Sequence, residues 1–168
     1  MPAIWSSPRS WSVGELVTAA LMNAHLRDNL EFLKTPPTDS EILNEGADYT
    51  ITSTSYVIMD LAKRLTITTA GGDVFWAFSG AVANSSGITF LDVAVDTVRL
   101  GGDDGLIAIN SANARLAGTC FRLITGLSAG VHTFDLWWKV SAGTGTIYAG
   151  AGTANADLHP QMFVREIS

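Results

Sequence analysis

A chain of 168 residues is long enough for one domain, which buries roughly 70% of the surface its unfolded form would expose. Hydrophobic residues make up 47% and charged residues 15%, with 16 glycines, a composition that favours many short strands between turns. The formal charge is −6 and no Lys or Arg cluster offers a surface on which phosphates could be neutralised, which excludes the usual footprint of nucleic-acid binding.

The N-terminal arm, Met1-Pro-Ala-Ile-Trp-Ser-Ser-Pro-Arg9, has no basic region leading into an apolar core, so no secretory signal is read from it and synthesis in a cytoplasm is expected. No run of about 18 apolar residues predicts a membrane-spanning helix. Trp5 and Trp11 lie in a segment without periodicity, and large aromatics in an extended arm commonly dock into another protein's surface. Thr18 then offers an N-cap, and Ala19, Met22, Leu26, Leu30 and Leu33 recur at three- and four-residue spacing, which predicts one amphipathic helix. His25, Arg27, Asp28 and Glu31 fall mainly on its other faces, and Pro36 and Pro37 end it.

An isolated helix of about four turns is marginal in water, so the stripe needs a partner. Either the chain's own β domain covers it, or copies of itself and a host particle do. The second is the expectation, with Trp5, Trp11, Met22, Leu26, Leu30 and Leu33 as the anchoring residues. The chain divides at Thr35-Pro-Pro-Thr-Asp-Ser40, giving an arm and anchor helix over 1–34, a linker over 35–48 and a head over 49–168.

After the linker the helical period gives way to alternation. Leu65 and Ile67 alternate with Thr66 and Thr68; Leu91, Val93 and Val95 with Asp92, Ala94 and Asp96; Phe134, Leu136, Trp138 and Val140 with Thr133, Asp135, Trp137 and Lys139. Further apolar segments at 56–60, 74–78, 120–124, 146–148 and 162–167 sit between glycine-rich turns. Eight or more short strands with this punctuation predict a mainly β chain: a jelly-roll β-sandwich preceded by one N-terminal amphipathic helix. Trp137 falls on the outward side of its strand, where its apolar surface is costly to leave in water. The closing strand sets Met162, Val164 and Glu166 on one face and Phe163, Arg165 and Ile167 on the other, neither of them plainly polar. A subunit interface through Trp137, Phe163 and Ile167 resolves both observations; cover by the helix or a loop is the alternative.

Two parts of the chain carry a resemblance. Trp11-Ser-Val-Gly-Glu-Leu-Val-Thr-Ala-Ala-Leu-Met-Asn-Ala-His-Leu-Arg-Asp-Asn-Leu30 resembles a Trp, then VTAA, then N-x-x-L-R-D-N pattern near the N-terminus of small phage structural proteins, over about a fifth of the chain. The region from Tyr56 to Glu166 is similar to the tumour necrosis factor and complement-type globular head, a jelly roll that forms compact trimers. The likeness lies in Gly126-Leu-Ser-Ala-Gly-Val-His-Thr-Phe134 before a long aromatic strand and in the ending Phe163-Val-Arg-Glu166. No collagen-like repeat precedes the head, so the ligands of complement-type proteins are not implied.

The resemblance implies a non-enzymatic virion protein, made in the host cytoplasm and displayed on the particle as a homotrimer. Its partners are then its own copies and a major capsid protein or tail component. Capsid decoration is the first expectation, because so short a chain has no shaft. A tail-fibre head that binds a host surface receptor is the alternative.

Catalytic and metal chemistry find little footing. Gly126-Leu127-Ser128-Ala129-Gly130 fits the Gly-x-Ser-x-Gly nucleophile elbow, but a strand follows it where a helix is needed, which leaves a small esterase at Ser128 a distant third reading. His25, His132 and His159 are scattered and read as surface or interface residues. Asp103 and Asp104 in Gly101-Gly-Asp-Asp-Gly105 are weak calcium candidates without regular ligand spacing. Asn84-Ser-Ser86 matches a glycosylation acceptor but carries little weight without a secretory route. The glycines from Gly143 to Gly152 make no phosphate-binding fingerprint. Cys120 is the single cysteine and reads as a small core residue. No cofactor is expected.

Overall fold

The computed structural model describes residues 5–152 and 157–167. The helix α1 spans 19–34. The Thr18 hydroxyl accepts the Leu21 N–H at 3.3 Å, an N-cap bond that satisfies one of the free amides of the first turn. A π turn over Asn23–Arg27 interrupts the α-helical ladder before Asp28–Lys34 completes it, and the chain leaves helical geometry at Thr35, ahead of Pro36.

Twelve strands follow: β1 Thr38–Ile42, β2 Tyr49–Ile51, β3 Val57–Ile58, β4 Leu65–Thr69, β5 Gly72–Asn84, β6 Ile88–Val95, β7 Val98–Arg99, β8 Ile107–Asn110, β9 Leu116–Leu127, β10 Gly130–Val140, β11 Gly145–Ile147 and β12 Gln161–Glu166. They form two six-stranded sheets. The spine of the first runs β1-β12-β5-β9, and that of the second β4-β10-β6-β8. Among these eight strands the first pairs with the last, the second with the seventh, the third with the sixth and the fourth with the fifth, always antiparallel. That nested order is a jelly roll, one long hairpin rolled into a sandwich.

The alternation read from the sequence turns the expected side chains inward. Trp76 and Phe78 of β5, Leu91 and Val93 of β6, Phe134, Leu136, Trp138 and Val140 of β10, and Met162 and Val164 of β12 fill the space between the sheets. Each such side chain contributes roughly 1.5–3 kcal/mol through burial. Cys120 lies in the same core, where burial pushes its thiol up to about 12.

The linker expected over 35–48 is not one. Residues 38–42 form β1 at the edge of the first sheet, in register with β12, and Leu43 is fully buried with its N–H bonded to the Pro160 carbonyl at 2.8 Å. No apolar alternation marks this strand, because its half-buried side chains make polar contacts instead. Asp39 accepts the Thr66 N–H at 2.7 Å, and Glu41 takes the Lys63 ammonium at 2.6 Å. The head therefore begins at Thr38, and only residues 35–37 connect it to α1.

Candidate interaction surfaces

The N-terminal arm lies along one face of α1. The Asn29 carboxamide accepts the Ser6 N–H and donates to the Ser6 carbonyl, both at 2.8 Å. Trp5 tilts against Phe32 with ring centroids 5.9 Å apart, and Trp11 meets His25 edge-on at 6.4 Å with the Arg9 guanidinium 4.8 Å from its ring. His25, Asn29 and Phe32 are four and three residues apart, so they form one face, and the arm covers it. Trp5 is thus half-buried against its own chain, whereas Trp11 stays exposed.

The neighbouring face of α1 is largely open, although Met22 and Leu26 line a cavity of about 330 Å³ with Pro8, Arg9, Trp11 and Val17 of the arm. Met22, Leu26, Leu30 and Leu33 are between 42% and 60% exposed, so the β domain does not cover the stripe. At its lower end Leu33, Trp5, Phe32 and Ile167 line a cavity of about 230 Å³, where the helix meets the last strand of the head.

A second apolar surface lies on the outer side of the first sheet. Strand register sets Phe163, Ala77 and Phe121 in one row and Arg165, Phe75 and Leu123 in the next. Phe121 is 66% exposed and Leu123 48%, and the Phe75 and Phe121 rings stack at 6.0 Å. The adjoining row on one side holds Gln161, Ser79 and Thr119, with Thr38, Ser40 and Ile42 of β1 beside these strands, and on the other side Asp73 of β5 brings a carboxylate, which accepts the Gly126 N–H at 3.0 Å. The sequence reading missed Phe121 and Leu123. Their signal was present in Cys120-Phe-Arg-Leu-Ile124, an apolar run on both faces of a strand that needs only one buried side.

Trp137 is on the other sheet, between Ile58 of β3 and Asp92 of β6. Its indole is half-buried and its N–H is out of reach of solvent, with no acceptor among the described residues. Asp92 beside it is fully buried and bonds the Arg99 guanidinium at 3.0 Å, and Arg99 stacks 3.7 Å from the Tyr56 ring. Trp137 and Phe163 therefore stand on opposite sides of the sandwich and do not form one patch. Ile167 sits at the helix junction and is exposed.

The remaining candidates are drawn into structural contacts. His132 is buried rather than at the surface, with Nδ1 2.7 Å from the Asp96 carboxylate and Nε2 2.9 Å from the carbonyl oxygen of Ser128. A general base must reach the nucleophile's hydroxyl, and here the imidazole is committed to the serine's main chain. The 3₁₀ turn at Gly102–Asp104 is held by Lys139, whose ammonium donates to the Asp103 carbonyl at 2.6 Å and lies 3.5 Å from Asp104. Among the described residues no three His, Cys, Asp or Glu side chains are grouped to hold a metal ion. Asn84 is fully buried and accepts the Ser86 and Gly87 N–H groups at 3.0 and 2.6 Å, closing the β5–β6 turn.

No family model and no curated protein matches the chain. Among solved structures it is similar to Eiger TNF from S. frugiperda, at 10% identity and a TM-score of 0.38, covering 79% of this chain and 94% of that one. It is also similar to CBM35 from Paenibacillus barcinonensis, at 14% identity and a TM-score of 0.35, covering 77% and 99%. A third likeness is to the infectious bursal disease virus Gx strain, at 9% identity and a TM-score of 0.37, covering 80% of this chain and 37% of that one. Likenesses this distant carry no inference about function, and the jelly roll rests on the strand pairings themselves.

Proposed function

We propose that this chain is a non-enzymatic component of a phage particle, a homotrimeric decoration protein fastened through its N-terminal helix with the jelly-roll head displayed outward. The observation that carries the reading is the exposed Met22-Leu26-Leu30-Leu33 stripe, on a helix whose other apolar face its own arm already covers. A stripe of this kind is stable in water only with a partner.

Self-association is supported by the outer face of the first sheet. A chain with a formal charge of −6 repels its copies, and a face whose Phe163–Ala77–Phe121 and Arg165–Phe75–Leu123 rows carry no carboxylate is where such copies can approach. The carboxylate-paired His132 does not support the esterase reading, because its Nε2 lies 2.9 Å from the main-chain carbonyl of Ser128 and has no bond to the hydroxyl.

A cavity of about 450 Å³ lined by residues including Ser79, Arg115, Leu158 and His159 favours the second reading, a receptor-binding tail-fibre head. The test is to mix purified chain with particles stripped of it and to image where it binds. Rebinding to capsid faces in threes is expected, with capsids fragile when it is omitted. Rebinding at the tail, with host adsorption blocked by free protein, would replace decoration by the adhesin reading. Failure to bind any part of the particle would overturn both.

A further inference from the structure

We infer that His132 is a proton-gated tether that holds the β9–β10 turn, residues 126–130, to the β6–β7 turn at Asp96 and Thr97. Both partners of the ring are acceptors: the Asp96 carboxylate at Nδ1 and the Ser128 carbonyl at Nε2. Only the imidazolium carries two N–H donors, so both bonds exist together only in the protonated ring. The neutral ring keeps one. It stays with the carboxylate, the stronger acceptor, and the bond to Ser128 is released.

The surroundings make the tether consequential. Asp96 and Thr97 both have left-handed backbones, with φ of 49° and 74°, a conformation that costs energy in residues with a side chain. Asp96 is kept in it by its bonds to His132 and to the Thr133 N–H at 2.9 Å. On the other side the Thr69 hydroxyl shares the Ser128 carbonyl at 2.8 Å, and Asp73 accepts the Gly126 N–H at 3.0 Å. The charged groups that face the ring are Asp96 from the β6–β7 turn and the buried Glu166 from β12. Arg64, ion-paired with Asp135, acts on Asp96 from the start of β4. Burial opposes the cation, but the ring's bonds to Asp96 and the Ser128 carbonyl, with the charges of Asp96 and Glu166 behind them, outweigh it, so the ring holds its proton above the usual histidine range.

The test follows the full-length protein by NMR. The His132 ring is titrated, and amide exchange over residues 126–133 is compared at about pH 5.5 and about pH 8 after correction for the intrinsic rate. His132 is expected to titrate above its ordinary value, with exchange in the turn rising about tenfold as the proton leaves and no such rise in His132→Gln. A ring that is neutral throughout, or an equal rise in His132→Gln, would overturn the inference. Should that variant fail to fold, Asp96→Asn supplies the second reading, because removing the carboxylate must lower the His132 midpoint; an unchanged midpoint would equally sink the tether.

Discussion

The carboxamide of Asn29 holds both backbone groups of Ser6, accepting its N–H and donating to its carbonyl at 2.8 Å each. This pairing copies what a neighbouring β-strand would offer, and it is the reason an arm without regular structure lies flat on a helix. Trp5 on Phe32 and Trp11 on His25 then flank the clamp on either side.

Asn29→Ala is therefore expected to free the arm. Two backbone groups lose their partners in a half-buried setting, a cost of about 1–3 kcal/mol to the arm and helix unit. The head loses no contact, so its thermal midpoint should barely move. Limited proteolysis before residue 19 and the quenching of Trp5 fluorescence report the change; an arm equally protected in the variant would count against the clamp.

If the chain assembles as proposed, Phe121→Asp on the outer face of the first sheet is expected to leave it monomeric, because it sets like charges at the centre of the face where copies of an acidic chain would meet. Trp137→Phe, on the opposite sheet, is expected to leave the assembly intact. Light scattering at micromolar concentration distinguishes them, and a monomer in the unmutated protein would remove the premise.

Much of this architecture was legible because burial in a sandwich repeats every second residue. The runs around Leu91 and Phe134 disclosed β6 and β10 directly, and the 3.6-residue spacing from Met22 to Leu33 disclosed the helix. β1 was hidden because an edge strand satisfied by Asp39 and Glu41 needs no apolar alternation. The exposed Phe121 and Leu123 were hidden for the opposite reason, since an apolar strand reads as core whichever side it shows. Trp137 was read as outward, which it is, but the strands that flank it and the partial cover over its ring depend on pairings far apart in the chain.

Removal of the Arg64 side chain is expected to cost about 3 kcal/mol, because Asp135 is buried and its carboxylate loses a two-pronged guanidinium at 2.7 and 2.6 Å. Arg64→Lys should recover only part of this, since an ammonium cannot span both oxygens. Chemical denaturation monitored by tryptophan fluorescence measures both; a loss below about 1 kcal/mol in Arg64→Ala would show that water replaces the guanidinium freely.

Stability should fall as pH rises from about 5 to about 8, the reverse of a protein held by carboxylate ion pairs. Burial raises the Glu166 carboxyl against the opposing bonds from Ala70 and Gly71, and burial likewise raises Asp92 against its Val93 bond and Arg99. A carboxyl raised in the folded state takes up protons more readily there than in the unfolded chain, so each group costs stability once pH climbs past its ordinary value. Burial lowers His132, but its bonds to Asp96 and Ser128 prevail and the net shift is upward. Its stabilisation is complete below the ordinary histidine value of 6.5 and is lost as pH rises through the raised one. Asp96 alone runs the other way: burial raises it, the Thr133 and His132 bonds lower it further, and its contribution is lost only in strong acid. Melting temperatures recorded across this range should decline, and the decline should be shallower in His132→Gln. A flat or rising profile would contradict the assignment of these buried groups.

Attachment and head folding should be separable. The head begins at β1, and where α1 approaches the head Phe32 and Leu33 line cavities together with Arg165, Glu166 and Ile167. Deleting residues 1–34 removes Trp5, Phe32 and Leu33 but no strand, so the truncated head should keep its cooperative melt and its oligomeric state while losing particle binding. Leu26→Glu with Leu30→Glu in the full chain should abolish binding in the same way, since both positions lie on the exposed stripe, 49% and 58% open to solvent, and neither belongs to the core of the head. Symmetric copies would deepen that loss through avidity. A truncated head that still occupies particles would move the attachment site onto the sandwich, and an unfolded one would show that Phe32 belongs to the head's core.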